Sequence, residues 1–264
     1  MKLSFSPLFS GSSGNSTLVD SGKAKILIDA GVTGSMLEGS LKALKIDPES
    51  LDAILITHEH SDHIKGAGIL SRKFDIPIYA NHATWNAMEK KVGAISLKNQ
   101  KEFFNSFYIN DMLVEPYPVP HDAVDPVCYS LSVGDVKLSI ATDLGHCTKK
   151  LLERFENSDV VLLESNHDVD MLRNGAYPHY LKRRVLGTKG HLSNEMAAKA
   201  AFELTMLGVR GIMLAHLSQE NNTSEVAYTT VSEFLNSNGV EINKHIALSV
   251  LDKVCKPFMY TIEK

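Results

Sequence analysis

The residues best equipped for chemistry stand together in Thr57-His58-Glu59-His60-Ser61-Asp62-His63. Imidazole nitrogens and carboxylate oxygens hold zinc, manganese or iron at about 2.0–2.2 Å. Three histidines and an aspartate within six residues are a denser donor set than a plain polar loop carries. In extended backbone His58 and His60, two apart, point to one side, so one ion can take that pair. Asp62 and His63 enter the next helix and turn toward a neighbouring point, where a second ion can sit. Four residues are too few for two ions, and further donors stand at other strand ends. They are His121 in VPHDAVDP, Asp143 in SIATDLGH and His216 in IMLAHLSQ. An aspartate between two ions can bridge them and hold the roughly 3.5–4 Å spacing of a two-metal site.

Such donors need rigid elements behind them. Short apolar runs between Gly/Ser turns predict a β-meander over 3–9, 17–20 and 24–29. Met36, Leu37, Leu41 and Leu44 stand at helical spacing over 35–44, and Asp47-Pro48 stops that helix. An apolar strand over 51–57 leads directly into the histidine cluster. A helix over 62–74, a strand over 76–79 and a helix over 83–91 follow. Strands are expected over 112–118, 127–133 and 136–142, the last two joined by the hairpin signal Gly134-Asp135. Thereafter helices (near Leu151, across 169–186, over 195–207 and 225–236) alternate with strands over 159–163, 211–215 and 246–251. This α/β order suits an αββα sandwich, two mixed sheets packed face to face and flanked by helices. With no long Pro/Gly/Ser linker, residues 1–264 read as a single domain.

Composition narrows the setting. No stretch nears the roughly 20 apolar residues that span a bilayer, and Ser4, Ser6 and Pro7 interrupt any leader-like run at the N-terminus, so a cytoplasmic location is expected. Cys128, Cys147 and Cys255 form no CxxC pair, which argues against disulfides or a cysteine zinc site and for small buried fillers. Net charge is −4, so a nucleic-acid partner must meet a local basic patch. Lys182-Arg183-Arg184 is the dense candidate, either steering phosphate or forming a solvated helix face.

HxHxDH after an apolar strand, followed in order by His121, Asp143 and His216, resembles the metallo-β-lactamase superfamily along nearly the whole chain. That resemblance implies one metal on His58, His60 and His121, a second on Asp62, His63 and His216, and Asp143 bridging. It also makes Asp29, ending AKILIDAG, an orienter of a ligand. Aspartate at 143, where the commonest lactamases carry cysteine, argues against antibiotic hydrolysis. His121 in PHDAVDP differs from the GHTPG context of glyoxalase-II-like thioesterases. Gly190-His191-Leu192-Ser193 resembles the GHxS segment of ribonuclease Z relatives, in which an additional histidine protonates the leaving group. Asp143 and His216 stand too close in the chain to hold an inserted clamp domain.

Within the superfamily the chain is similar to the YycJ (WalJ) family of small bacterial proteins. SGSSGNS at 10–16, THEHSDH, IPIYAN at 76–81, PHDAVDP, LLESNHDVDML at 162–172 and KGHLSN carry this likeness. It implies 5′→3′ exonuclease activity on DNA linked to repair, with two divalent ions (zinc, manganese or iron), a DNA substrate and DNA-repair proteins as partners. Two metals would acidify the attacking water, Asp62 would orient it, and His191 would act as general acid. Glu164, ending VVLLE, either orients His191 or belongs to a polar loop with Asn166-His167-Asp168. Ser10–Ser16 reads as a Gly/Ser loop at the metal rim or as an anion nest. His82, His146, His179 and His245 have no matching spacing, and Trp85 reads as helix packing. The rival reading is hydrolysis of a small thioester or lactone, which a closed apolar pocket would favour over a basic groove.

Overall fold

The opening meander forms as β1 (Lys2–Phe9), β2 (Ser16–Asp20) and β3 (Lys25–Ile28), paired antiparallel in turn. Parallel strands β4 (Ala53–Leu55), β5 (Ile78–Ala80) and β6 (Gln100–Glu102) extend the sheet beyond β3. The second sheet repeats the plan. Antiparallel β7 (Phe107–Ile109), β8 (Met112–Pro118), β9 (Val127–Val133) and β10 (Val136–Ala141) lead into parallel β11 (Val160–Glu164), β12 (Gly211–Ala215) and β13 (Ala247–Val250). A last strand, β14 (Tyr260–Glu263), returns to the first sheet and pairs antiparallel with β1. The computed structural model describes residues 1–251 and 257–264, and Cys255 lies outside the described residues.

Strand alternation divides the apolar side chains among three layers. Ile26, Ile28 and Leu55 meet Tyr129, Leu138, Ile140 and Leu162 between the sheets. Leu27 and Ile54 point the other way, onto α1 (Gly34–Ala43), α3 (Ala67–Phe74) and α4 (His82–Val92), where Leu37, Leu41, Leu70, Trp85 and Met88 are buried. Val161, Leu163, Ile212 and Leu214 pack on α5 (Lys149–Arg154), α8 (Asn194–Met206) and α9 (Ser224–Ser237). Coverage on both faces is why the inner parallel strands read as unbroken apolar runs. This is the expected αββα sandwich.

Two details depart from the sequence expectation. The helix over 62–74 is broken into α2 (Ser61–Ile64) and α3. Gly66 stands at the break, donates to the Ala30 carbonyl at 2.7 Å, and lies so close to the Val32 oxygen that a Cβ would meet it at 2.5 Å. Strands β6, β7 and β14 have no counterpart in the sequence reading. They are three or four residues long and stand at or beside sheet edges, where a partner strand rather than apolar alternation defines them. The 169–186 stretch divides into α6 (Val169–Asn174) and α7 (His179–Val185).

Candidate active site

The chemistry-bearing side chains gather where parallel strands of both sheets end, the edge at which α/β proteins hold ligands. Asp29 follows β3, His58 to His63 follow β4, Asp143 follows β10, Glu164 ends β11 and His216 follows β12. Asp29, Asp143 and His216 all adopt left-handed backbone, with φ of 61°, 59° and 57°. Such conformations cost on the order of 1–3 kcal/mol for residues with a Cβ and persist where neighbours enforce them. At His216 the enforcement is visible. Its N–H donates to Ser10 Oγ at 2.9 Å and its carbonyl accepts from Asn166 Nδ2 at 2.9 Å.

The described residues contain four clusters whose donor atoms lie within 4.8 Å of one another. One is His58, His60 and His121; a second is Asp62, His63 and His216; a third joins His58 and His63 through Asp143. The fourth groups Asp143, Glu164, His191 and His216. His58 Nε2 faces His60 Nδ1 at 3.1 Å, close to the roughly 3.4 Å between two ligands of one tetrahedral ion. Asp143 Oδ2 stands 3.3 Å from His63 Nε2, and its Oδ1 stands 3.8 Å from His121 Nε2.

The ring nitrogens turned away from this centre are held by the protein. Asp29 Oδ2 binds His63 Nδ1 at 2.8 Å and also accepts from the Thr57 hydroxyl, while its Oδ1 accepts the Thr57 N–H. His58 Nδ1 meets Thr57 Oγ1 at 2.9 Å, and His121 Nδ1 meets the Gly190 carbonyl at 3.1 Å. His216 Nδ1 binds Glu164 Oε1 at 2.7 Å. This arrangement fixes each ring and leaves the other nitrogen for an ion. His216 Nε2 and Asp143 Oδ2 are fully buried yet hydrogen-bond to nothing among the described residues. Burial at this cost, amid Asp29, Asp62, Asp143 and Glu164, fits a cation centre.

Electrostatics follow the same plan. Burial, reinforced by the other histidines, keeps His58 well below the usual imidazole range, the neutral form a ligand needs. Burial would raise Asp143, but His216 and His63 hold it well below the carboxylate range. Burial would likewise depress His191, yet the Glu164 carboxylate, 2.8 Å from its Nδ1, lifts it to about 9. Glu164 itself is brought to about 2, with burial outweighed by His191 and His216. Leu144 and Leu192 N–H groups donate to its second oxygen. Glu164 is therefore the partner of His191 and no member of a loose polar loop. His167, beside it in sequence, is buried with both ring nitrogens unpartnered among the described residues.

The Ser10–Ser16 loop borders the centre, with Ser12 in the cleft wall. Asn15 Nδ2 lies 3.1 Å from His63 Nε2, and Asn15 N–H takes the Asp62 carbonyl at 2.9 Å. Gly31 packs on that same carbonyl so closely that a Cβ would lie 1.6 Å from it. Asn15 and Thr57 belong to the quoted motifs, but nothing in their spacing announces these bonds. Among the basic triplet, Arg184 reaches the site, Lys182 caps the Arg173 carbonyl, and Arg183 is exposed. His82 pairs with Glu102 and His146 with the Thr188 carbonyl at the surface, and His245 accepts from the Glu241 N–H. His179 is exposed at the start of α7. Trp85 packs as expected, its indole N–H on the Lys101 carbonyl. A cleft of about 480 Å³ opens over the centre, lined by His60, Asp62, His121, Asp143, His191 and His216 together with Lys91, Tyr177 and Arg184.

This fold and donor set define a class. The chain belongs to the metallo-beta-lactamase superfamily, whose family model matches residues 10–174. It is 41% identical to exodeoxyribonuclease YycJ of Bacillus anthracis, over 92% of this chain and 93% of that one. It is 43% identical to exodeoxyribonuclease WalJ of Streptococcus pneumoniae serotype 2, over 86% of each. Among solved structures, the metallo-beta-lactamase fold protein YhfI from Bacillus subtilis superposes with a TM-score of 0.74, covering 99% of this chain and 100% of that one at 17% identity. No helix among the described residues is long and apolar enough to cross a membrane.

Proposed function

We propose that this chain is a metal-dependent exodeoxyribonuclease that removes nucleotides in the 5′→3′ direction. The observation that carries the reading is His191, standing in the cleft beside the metal donors with Nδ1 fixed on Glu164. The likeness to YycJ and WalJ supplies DNA as the substrate. His58, His60 and His121 would hold one divalent ion, Asp62, His63 and His216 the other, with Asp143 between them. Zinc or manganese, or iron, suits these donors. Bound there, the ions acidify water and take up charge on the phosphoryl oxygens.

The chain's own residues do the rest. Asp62, partly open to the cleft, accepts a hydrogen bond from the attacking water and aims it at phosphorus. As the new P–O bond forms and the ester P–O bond breaks, the attacking water's proton passes to solvent and the departing oxygen takes one from His191 Nε2. Glu164 orients that imidazole and stabilises its protonated form. The cleft walls bear Ser12, Lys91, Asn166, Arg184 and Ser218 beside Leu181, Val185 and Tyr177. The two cations in that lining, Lys91 and Arg184, support a phosphate-bearing substrate over a small acyl one.

Residues 1–264 serve this reaction as one domain without an inserted clamp, in the cytoplasm, with DNA-repair proteins as partners. The test is digestion of end-labelled DNA and RNA by protein reconstituted with zinc or manganese. Progressive shortening of linear DNA from its 5′ end, with closed circular DNA resistant, is expected. Intact DNA beside rapid turnover of a thioester or lactone would overturn the reading.

A further inference from the structure

Of the triplet Lys182-Arg183-Arg184, Arg184 alone lines the cleft. Its guanidinium grips Asp122 as a fork, Nε on Oδ2 at 2.5 Å and Nη2 on Oδ1 at 3.2 Å. Asp122 follows His121 directly, and its Oδ1 stands 3.3 Å from His121 Nε2, the ring nitrogen turned toward the metal donors. The arginine charge is thus placed at the edge of the reacting centre and not on the outer face of α7. Asp62 and Asp143 both act on it electrostatically. The two side chains are 51% and 29% exposed, so water and a ligand can reach both partners of the pair. A phosphate presents the same two-point geometry to the fork, with charge-assisted hydrogen bonds at both prongs. Lys91, whose ammonium caps the Glu59 carbonyl at 3.0 Å, is a second cation lining the cleft.

We propose that Arg184 is a phosphate-binding residue of the cleft, exchanging Asp122 for a backbone phosphate of the substrate strand. The proposal rests on the nuclease reading and names the strand phosphate as the ligand recognised there. Asp122 and the phosphate then compete for one guanidinium, so the two partners of the ion pair have opposite effects on binding. A pair that merely pins α7 to the loop carrying His121 behaves otherwise: removing either partner loosens the same contact and harms binding alike.

The experiment measures binding of fluorescein-labelled single-stranded DNA to metal-loaded protein across a range of salt. Turnover is silenced by His191→Ala in every variant, and steady-state KM and kcat are measured in the otherwise natural chain. Arg184→Ala is expected to weaken binding about tenfold, raise KM more than it lowers kcat, and reduce the slope of log K against log salt by about 0.7, one phosphate contact on a single strand. Arg184→Lys should recover the salt slope and only part of the affinity. Asp122→Asn is expected to tighten binding severalfold with metal content unchanged by elemental analysis. Weaker binding in both Arg184→Ala and Asp122→Asn, or loss of metal from Asp122→Asn, would overturn the proposal in favour of a structural pin. Unchanged affinity and salt slope in Arg184→Ala would overturn it outright. Should the unmodified chain neither bind nor degrade DNA, the nuclease reading itself fails, an outcome distinct from a nuclease indifferent to Arg184.

Discussion

Glu164 and His191 meet at 2.8 Å through Oε1 and Nδ1, and the same oxygen receives His216 Nδ1 at 2.7 Å. One buried carboxylate therefore holds both the His191 and the His216 imidazoles through one oxygen. Its other oxygen takes the N–H groups of Leu144 and Leu192, one near Asp143 and one next to His191. An amide cannot replace it, because its NH₂ would face donors already in place. Glu164→Gln should lower activity or metal affinity by about 10–100-fold. It should also cost on the order of 1–3 kcal/mol of stability through unsatisfied donors. Steady-state kinetics with thermal melts check this, and an unimpaired, equally stable variant would remove Glu164 from the mechanism.

His191 acts at the chemical step if its proton goes to the leaving oxygen. His191→Ala is then expected to keep both metals and lose roughly 10²–10⁴ in rate on DNA. The loss should shrink on a nitrophenyl phosphodiester, whose leaving group departs without a proton. Equal losses on the two substrates, or disappearance of a metal, would speak for positioning or ligation instead.

Reconstitution with manganese or zinc should load two ions per chain, read by elemental analysis. Asp62→Ala is expected to abolish turnover and lose an ion while the melting transition persists, since Asp62 sits partly exposed at the start of the four-residue α2. Asp143→Ala removes a carboxylate that groups with His58 and His63 on one side and with His216 on the other, and should leave one ion or fewer. A fully loaded, unaltered Asp143→Ala protein would end the bridging assignment. Collapse of the fold on chelation would make the ions structural.

His167 gives the stability a pH dependence of its own. Burial brings its imidazole to about 4 from 6.5, so the folded chain holds it neutral where the unfolded chain protonates it. Its folded value is depressed and the group is a base, so full stability is present above about pH 6.5. Stability falls as pH drops through 6.5 toward 4, by on the order of 3 kcal/mol in total, and this group contributes no further loss below that window. His167→Leu should flatten that limb, so that its melting temperature gains on the unmodified chain between pH 6.5 and 4. Parallel melting curves across the window would contradict this.

Much of the site was legible in the chain because its donors lie within short motifs set directly after apolar strands. His58, His60, Asp62 and His63 announce themselves by spacing, and His121, Asp143 and His216 by standing where apolar runs stop. The layered α/β arrangement followed from alternating strand and helix signals and from strands apolar on both faces. What the sequence could not decide was which of two bonding choices each polar group takes. Glu164 read equally well as an orienter or as a loop residue; the register of β11 beside β12 sets it against Ala215, one residue before His216, and it bonds both His191 and His216. Lys182-Arg183-Arg184 read either as steering phosphate or as a solvated face, and only the fold sets Arg184 against Asp122, far off in sequence. Strands β6, β7 and β14 had too few residues to show a period, and they exist through hydrogen bonds to neighbours. Local pattern reports what a residue can do, since side-chain chemistry and backbone period are properties of a short stretch. Which partner it meets depends on contacts across the chain, and only closure of the two sheets brings those together.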